Sequence, residues 1–79
     1  MSYRLTIMNE GVTRKVGRGQ YPYQVGSMAY RYMLDHFETK DTWKQLSEVH
    51  RWIDHAETYD AIKAIHVGVH TILFLEKVK

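Results

Sequence analysis

Residues 3–8, Tyr-Arg-Leu-Thr-Ile-Met, alternate in polarity and are rich in β-favouring side chains, the pattern of a half-buried strand. Asn9-Glu10-Gly11 then supplies a turn, with Gly11 free to take positive φ, and Val12 to Gly17 reads as the return strand. That strand carries an anomaly. Strict alternation puts Val12, Arg14 and Val16 on one face. Either Arg14 escapes at a sheet edge, or a bulge, expected at Gly11, shifts the register.

After Pro22, which suits the first turn of a helix, the period changes. Val25, Met28, Ala29, Tyr32, Met33, His36 and Phe37 recur at steps of three and four. Tyr30 and Leu34 widen this apolar arc beyond half the circumference, leaving Gln24, Ser27, Arg31, Asp35 and Glu38 as the polar stripe. So apolar a helix needs cover on two sides: the sheet on one, and a second helix or a partner on the other. A homodimer is one way to provide that cover.

Glu38 to Lys40 connects to a second helix over 42–57, with Asp41 as its expected N-cap. Trp43, Leu46, Val49, Ile53 and Ala56 line one of its faces, and Trp52 falls at the margin of that stripe, half exposed. A rival reading makes 42–46 a short strand and starts the helix at Ser47; the continuous stripe favours the long helix. From Ala61 the chain turns β-rich again, through Ile62, Ile65, Val67, Val69, Thr71 and Ile72, and Gly68 punctuates it. A second hairpin, 61–67 and 70–77, follows. The order ββααββ predicts an α+β fold, a four-stranded antiparallel sheet with two helices on one face. At 79 residues it forms one domain, 1–79, with a small core.

Composition narrows the chemistry. The chain has no cysteine, which excludes disulfides, thiolate metal sites and cysteine nucleophiles. A small domain without such staples is expected inside the cell, as a cytoplasmic protein. Met1-Ser2-Tyr3-Arg4-Leu5 lacks the apolar stretch of a signal peptide. The longest apolar run, Ile72 to Leu75, is too short to span a bilayer, so no membrane partner is expected.

The histidines do not form a ligand set. His66 and His70 have the spacing of two ligands on a helical turn, but their segment is β-branched and broken by Gly68. On an extended strand they would stand roughly 13 Å apart. His50 and His55 lie about 140° apart around a helix. No metal or cofactor is expected. Ser2, Ser27 and Ser47 lack a nucleophile-elbow context. His50 and Asp54 have the i, i+4 spacing that any acidic helix offers by chance. Gly17-Arg18-Gly19 is not followed by the Gly-Lys-Ser/Thr of a phosphate loop. No enzyme is expected.

What remains is the segment Thr13 to Tyr23, where Arg14, Lys15 and Arg18 sit among Gly17, Gly19, Tyr21 and Tyr23. Residues 1–20 carry four cations against one acid, a local +3, whereas residues 35–60 carry seven acids against three cations, a local −4. Charges on a hairpin can simply block edge pairing. They can also meet phosphates while the tyrosines stack on bases, or meet an acidic protein surface. The aromatics Tyr21, Tyr23, Tyr30, Tyr32, Trp43 and Trp52 outnumber what so small a core absorbs, and Tyr, Trp and Arg dominate interface hot spots. The expectation is a small non-catalytic binding protein, an adaptor or inhibitor acting stoichiometrically on a larger protein or nucleoprotein complex. Its contact residues would be Arg14, Lys15, Arg18, Tyr21, Tyr23, Tyr30 and Trp52. The alternative is a nucleic-acid-binding accessory protein that uses the basic N-terminal hairpin. A phage or mobile-element origin is suggested by the size class alone.

Overall fold

The computed structural model describes residues 2–58 and 62–78. Its elements are β1 (Ser2–Asn9), β2 (Val12–Gly19), α1 (Pro22–His36), α2 (Thr39–His55), β3 (Lys63–Val67) and β4 (Thr71–Val78), with a 3-10 turn, Ala56–Thr58, closing α2. The strands form one antiparallel sheet in the order β2-β1-β4-β3. Both helices pack on one face of it, α1 over β1 and β2, α2 towards β3. The expected α+β architecture and element order are therefore present. Ala61, the expected first residue of the second hairpin, and Asp60, one of the seven acids, lie outside the described residues.

Alternation in the strands builds the core. Tyr3, Leu5 and Ile7 of β1, Leu73 and Leu75 of β4, and Ile65 and Val67 of β3 all point at the helices and are buried. They meet Val25, Ala29 and Met33 of α1 and Leu46, Val49 and Trp52 of α2. The wide apolar arc of α1 is covered on two sides within the chain itself, by the sheet and by α2. Leu34 stays largely outside, at 52% exposure. The helices cross at Gly26, where a Cβ would fall 2.3 Å from Ile53 Cδ1.

Two turns rely on left-handed backbone. Glu10 (φ 53°) and Gly11 (φ 78°) give a two-residue loop with both central residues at positive φ, a type I′ turn matched to strand twist. Gly68 (φ 63°) serves the β3–β4 connection. The Glu10 N–H donates to the His70 carbonyl at 2.9 Å, which ties the two hairpin ends together.

Three local expectations are corrected. The bulge is not at Gly11. The register runs Ile7 opposite Lys15 and then Met8 opposite Thr13, so Arg14 is the extra residue. Val12 and Val16 consequently fall on opposite faces and the anomaly disappears. Second, α2 starts at Thr39 with Glu38, not Asp41, at its N-cap, and 42–46 is helical. Third, the inward stripe of α2 is rotated. Thr42 is buried and its hydroxyl donates to the Glu38 carbonyl at 3.1 Å, so its polar group is satisfied inside. Trp43 is displaced outward, to 58% exposure, with the Lys44 ammonium 5.7 Å from its ring centroid. Trp52 moves in to 2% exposure and meets Tyr3 edge-on at 5.9 Å.

Candidate binding surface

The orientation of β2 follows from its glycines. A Cβ at Gly17 would fall 2.3 Å from Met28 Sδ, so Gly17 faces α1 and lets the helix approach closely. Its neighbours Val16 and Arg18 therefore point to the face without helices. β2 is an edge strand, and Arg14, Lys15 and Arg18 are all exposed on it. None of the three has an ion pair among the described residues, where the salt bridges are Arg4 with Glu76 and Lys40 with Glu38. Arg18 stands beside Arg4 across β1–β2. The Arg4 guanidinium is committed to Glu76 on β4 at 2.5 Å, and that hydrogen bond and charge raise its pKa. Arg18 is left as the uncompensated cation of that row.

The chain then enters α1 through a pinned junction. The Gln24 side-chain carbonyl accepts from the Gln20 N–H at 2.7 Å and the Tyr21 N–H at 3.1 Å, satisfying donors at the helix start. With Pro22 fixing its own φ, this holds Tyr21 and Tyr23 outside the core. Their rings stack on each other, 6.0 Å between centroids and 15° apart in plane, each more than half exposed. Five of the seven expected contact residues thus come from one exposed, contiguous segment.

The other two lie elsewhere. Tyr30 lines an open groove of about 580 Å³ between the helices, with Ser27, Arg31, Leu34, Asp35 and His50. Its ring meets the His50 imidazole edge-on at 4.8 Å, and burial raises its phenol pKa. Trp52 is a core residue and offers no surface to a partner, which corrects its assignment as a contact. Sequence reasoning also missed a surface, because seeing it requires the strand order. The sheet face opposite the helices carries two cross-strand rows: Val16–Thr6–Phe74–Ala64 and Thr13–Met8–Ile72–His66. The run Ile72 to Leu75 is its one signal in the chain. Among the described residues, no three His, Cys, Asp or Glu converge as metal ligands, and no helix is long and apolar enough to cross a membrane.

No protein-family model matches this chain, and no curated protein or solved structure matches it. Function is therefore read from the surface itself.

Proposed function

We propose that this chain is a non-catalytic binding module, an adaptor or inhibitor that docks stoichiometrically on an acidic surface of a larger protein or nucleoprotein complex through Arg14, Lys15, Arg18, Tyr21 and Tyr23. One observation carries the reading. Three cations without an internal acid among the described residues are continuous with a stacked, half-exposed tyrosine pair. Charge alone would suit edge protection. Exposed tyrosines add nothing to that role, whereas Tyr and Arg supply much of the energy of protein interfaces.

Nucleic acid is the second reading, favoured by the placement of α2. That helix, which carries Asp41, Glu48 and Asp54, packs towards β3, at the opposite edge of the sheet from β2 and its cations. Affinity capture from the native cell, with and without nuclease, separates the two readings. A nuclease-resistant partner lost from the Arg14→Ala/Lys15→Ala/Arg18→Ala variant supports the acidic protein surface. A nuclease-sensitive one, whose affinity falls about 10³-fold over a fourfold rise in salt, supports nucleic acid. Each substitution should change stability by only about 0.5 kcal/mol. Undiminished capture by a folded triple variant, and by Tyr21→Ala/Tyr23→Ala, would sink both readings.

A further inference from the structure

The helix-free face of the sheet breaks a rule of antiparallel sheets. Such sheets bury one face and solvate the other, so their strands alternate apolar and polar. β4 does not alternate: Ile72, Leu73, Phe74 and Leu75 are all apolar. Leu73 and Leu75 are consumed by the core, while Ile72 and Phe74 sit on the open face beside Met8 and Val16. Near-continuous apolar runs belong to strands covered on both sides. Nothing among the described residues covers this one.

We infer that a second copy of this chain covers it, the two sheets packing face to face about a twofold axis that runs along the seam between β1 and β4. The strand order is what points to this. β1 and β4 are the two central strands, in register Arg4 with Glu76, Thr6 with Phe74 and Met8 with Ile72. An axis parallel to that seam lays β1 of one copy over β4 of the other. Arg4 then faces Glu76 of the second copy, and Glu76 faces its Arg4. Thr6 faces Phe74, and Met8 faces Ile72. Charges meet opposite charges, Met8 meets Ile72 and Thr6 meets the Phe74 ring, the self-complementarity that an isologous interface requires. Aligned packing within about 30° suits two twisted sheets.

The area suffices. Three strands counted at seven residues and β3 at its five, about 4.8 Å apart and about 3.4 Å per residue, give a flat footprint of roughly 420 Å² per copy. The pair buries about 850 Å² as flat area and approaches about 1,000 Å² once side-chain relief is included, the size of a weak, reversible interface. Arg18, beside Arg4 in the end row, lies at the rim of this footprint, while Lys15, opposite inward-facing Ile7, and the tyrosine pair at the start of α1 stay open for the partner proposed above.

Sedimentation equilibrium of the full chain tests this. The expected result is a species of about twice 9.4 kDa. Phe74→Lys should give a folded monomer, and Thr6→Arg provides a second wedge if the first variant fails to fold. Charge exchange is the sharper arm. Arg4→Glu alone and Glu76→Arg alone each place like charges across the axis and should weaken dimerisation about tenfold or more. In a mixture of the two variants, one copy carries acids at both positions and the other carries cations at both. Every charge across the axis then meets its opposite. The mixture should therefore form a heterodimer tighter than either parent, although the pair within each chain stays broken. A wild-type chain that sediments as a monomer at high concentration overturns the inference, whatever else binds that face. So does a folded Phe74→Lys dimer, or a mixture no tighter than its parents.

Discussion

Gly26→Ala should destabilise this protein even though alanine is the better helix former. Two effects oppose each other. In a helix interior, replacing Gly by Ala contributes about 1 kcal/mol of stability. Against this, the new Cβ would fall 2.3 Å from Ile53 Cδ1 and 2.6 Å from Cγ1, while carbons in contact prefer about 3.5–4.0 Å. The helices must part, or Ile53 must leave its rotamer, by more than about 1 Å. Overpacking of this kind costs about 1–3 kcal/mol. The net effect is a loss of about 1 kcal/mol, or a fall in urea midpoint of about 1 M at the small slope expected for a chain this size. Far-ultraviolet circular dichroism follows the transition, with the fluorescence of buried Trp52 as a second probe. The decisive variant is Ile53→Ala, which removes both clashing carbons. In that background Gly26→Ala should reverse sign and stabilise by up to about 1 kcal/mol, a coupling of roughly 2 kcal/mol between touching residues. If Gly26→Ala shifts the midpoint equally in both backgrounds, the helix crossing is not packed as described.

Two further outcomes follow from the turns and the groove. Glu10 occupies left-handed backbone that Asn tolerates better, so Glu10→Asn should stabilise by about 0.5–1 kcal/mol in thermal unfolding; an unchanged or lower melting temperature would contradict the type I′ turn. Burial raises the Tyr30 pKa, so the folded state holds that proton more tightly than the unfolded chain. The corresponding stability is present below the ordinary tyrosine pKa of about 10 and is lost as pH rises through the raised value. Tyr30→Phe should flatten the alkaline fall in urea midpoint, and parallel profiles for the two proteins would refute the assignment.

The elements are legible in the sequence because period and punctuation agree: alternation around Gly11 and Gly68, steps of three and four from Val25. The rotation of α2 is not. The stripes through Trp43 and Trp52 share Leu46, Val49 and Ala56, and hydrophobicity alone favours Trp43 over Thr42. The deciding fact is that the Thr42 hydroxyl reaches the Glu38 carbonyl and so can be buried at little cost. The bulge is legible as a conflict but not as a place, since its position depends on pairing with β1. The exposed cations and tyrosines can be named because they lie in one continuous segment. The open face cannot, because its rows join residues from all four strands. The contact at Gly26 pairs two helices and leaves no trace in either alone.

The seam between β1 and β4 also governs how this chain can reach its fold. Each hairpin forms from neighbours in sequence, and so does the pair of helices, yet the middle of the sheet joins Ser2 to Val78 and Asn9 to Thr71. The centre is thus the most non-local contact and the last to be rewarded, because closing it orders nearly the whole chain between. Until then, two half-sheets each expose a strand edge that the native state hides at its middle. Joining residues 2 and 78 by a short linker, and opening the chain between α1 and α2, would make that seam local. A permutant of this kind should keep the architecture while folding faster, since the slow step would have become a hairpin.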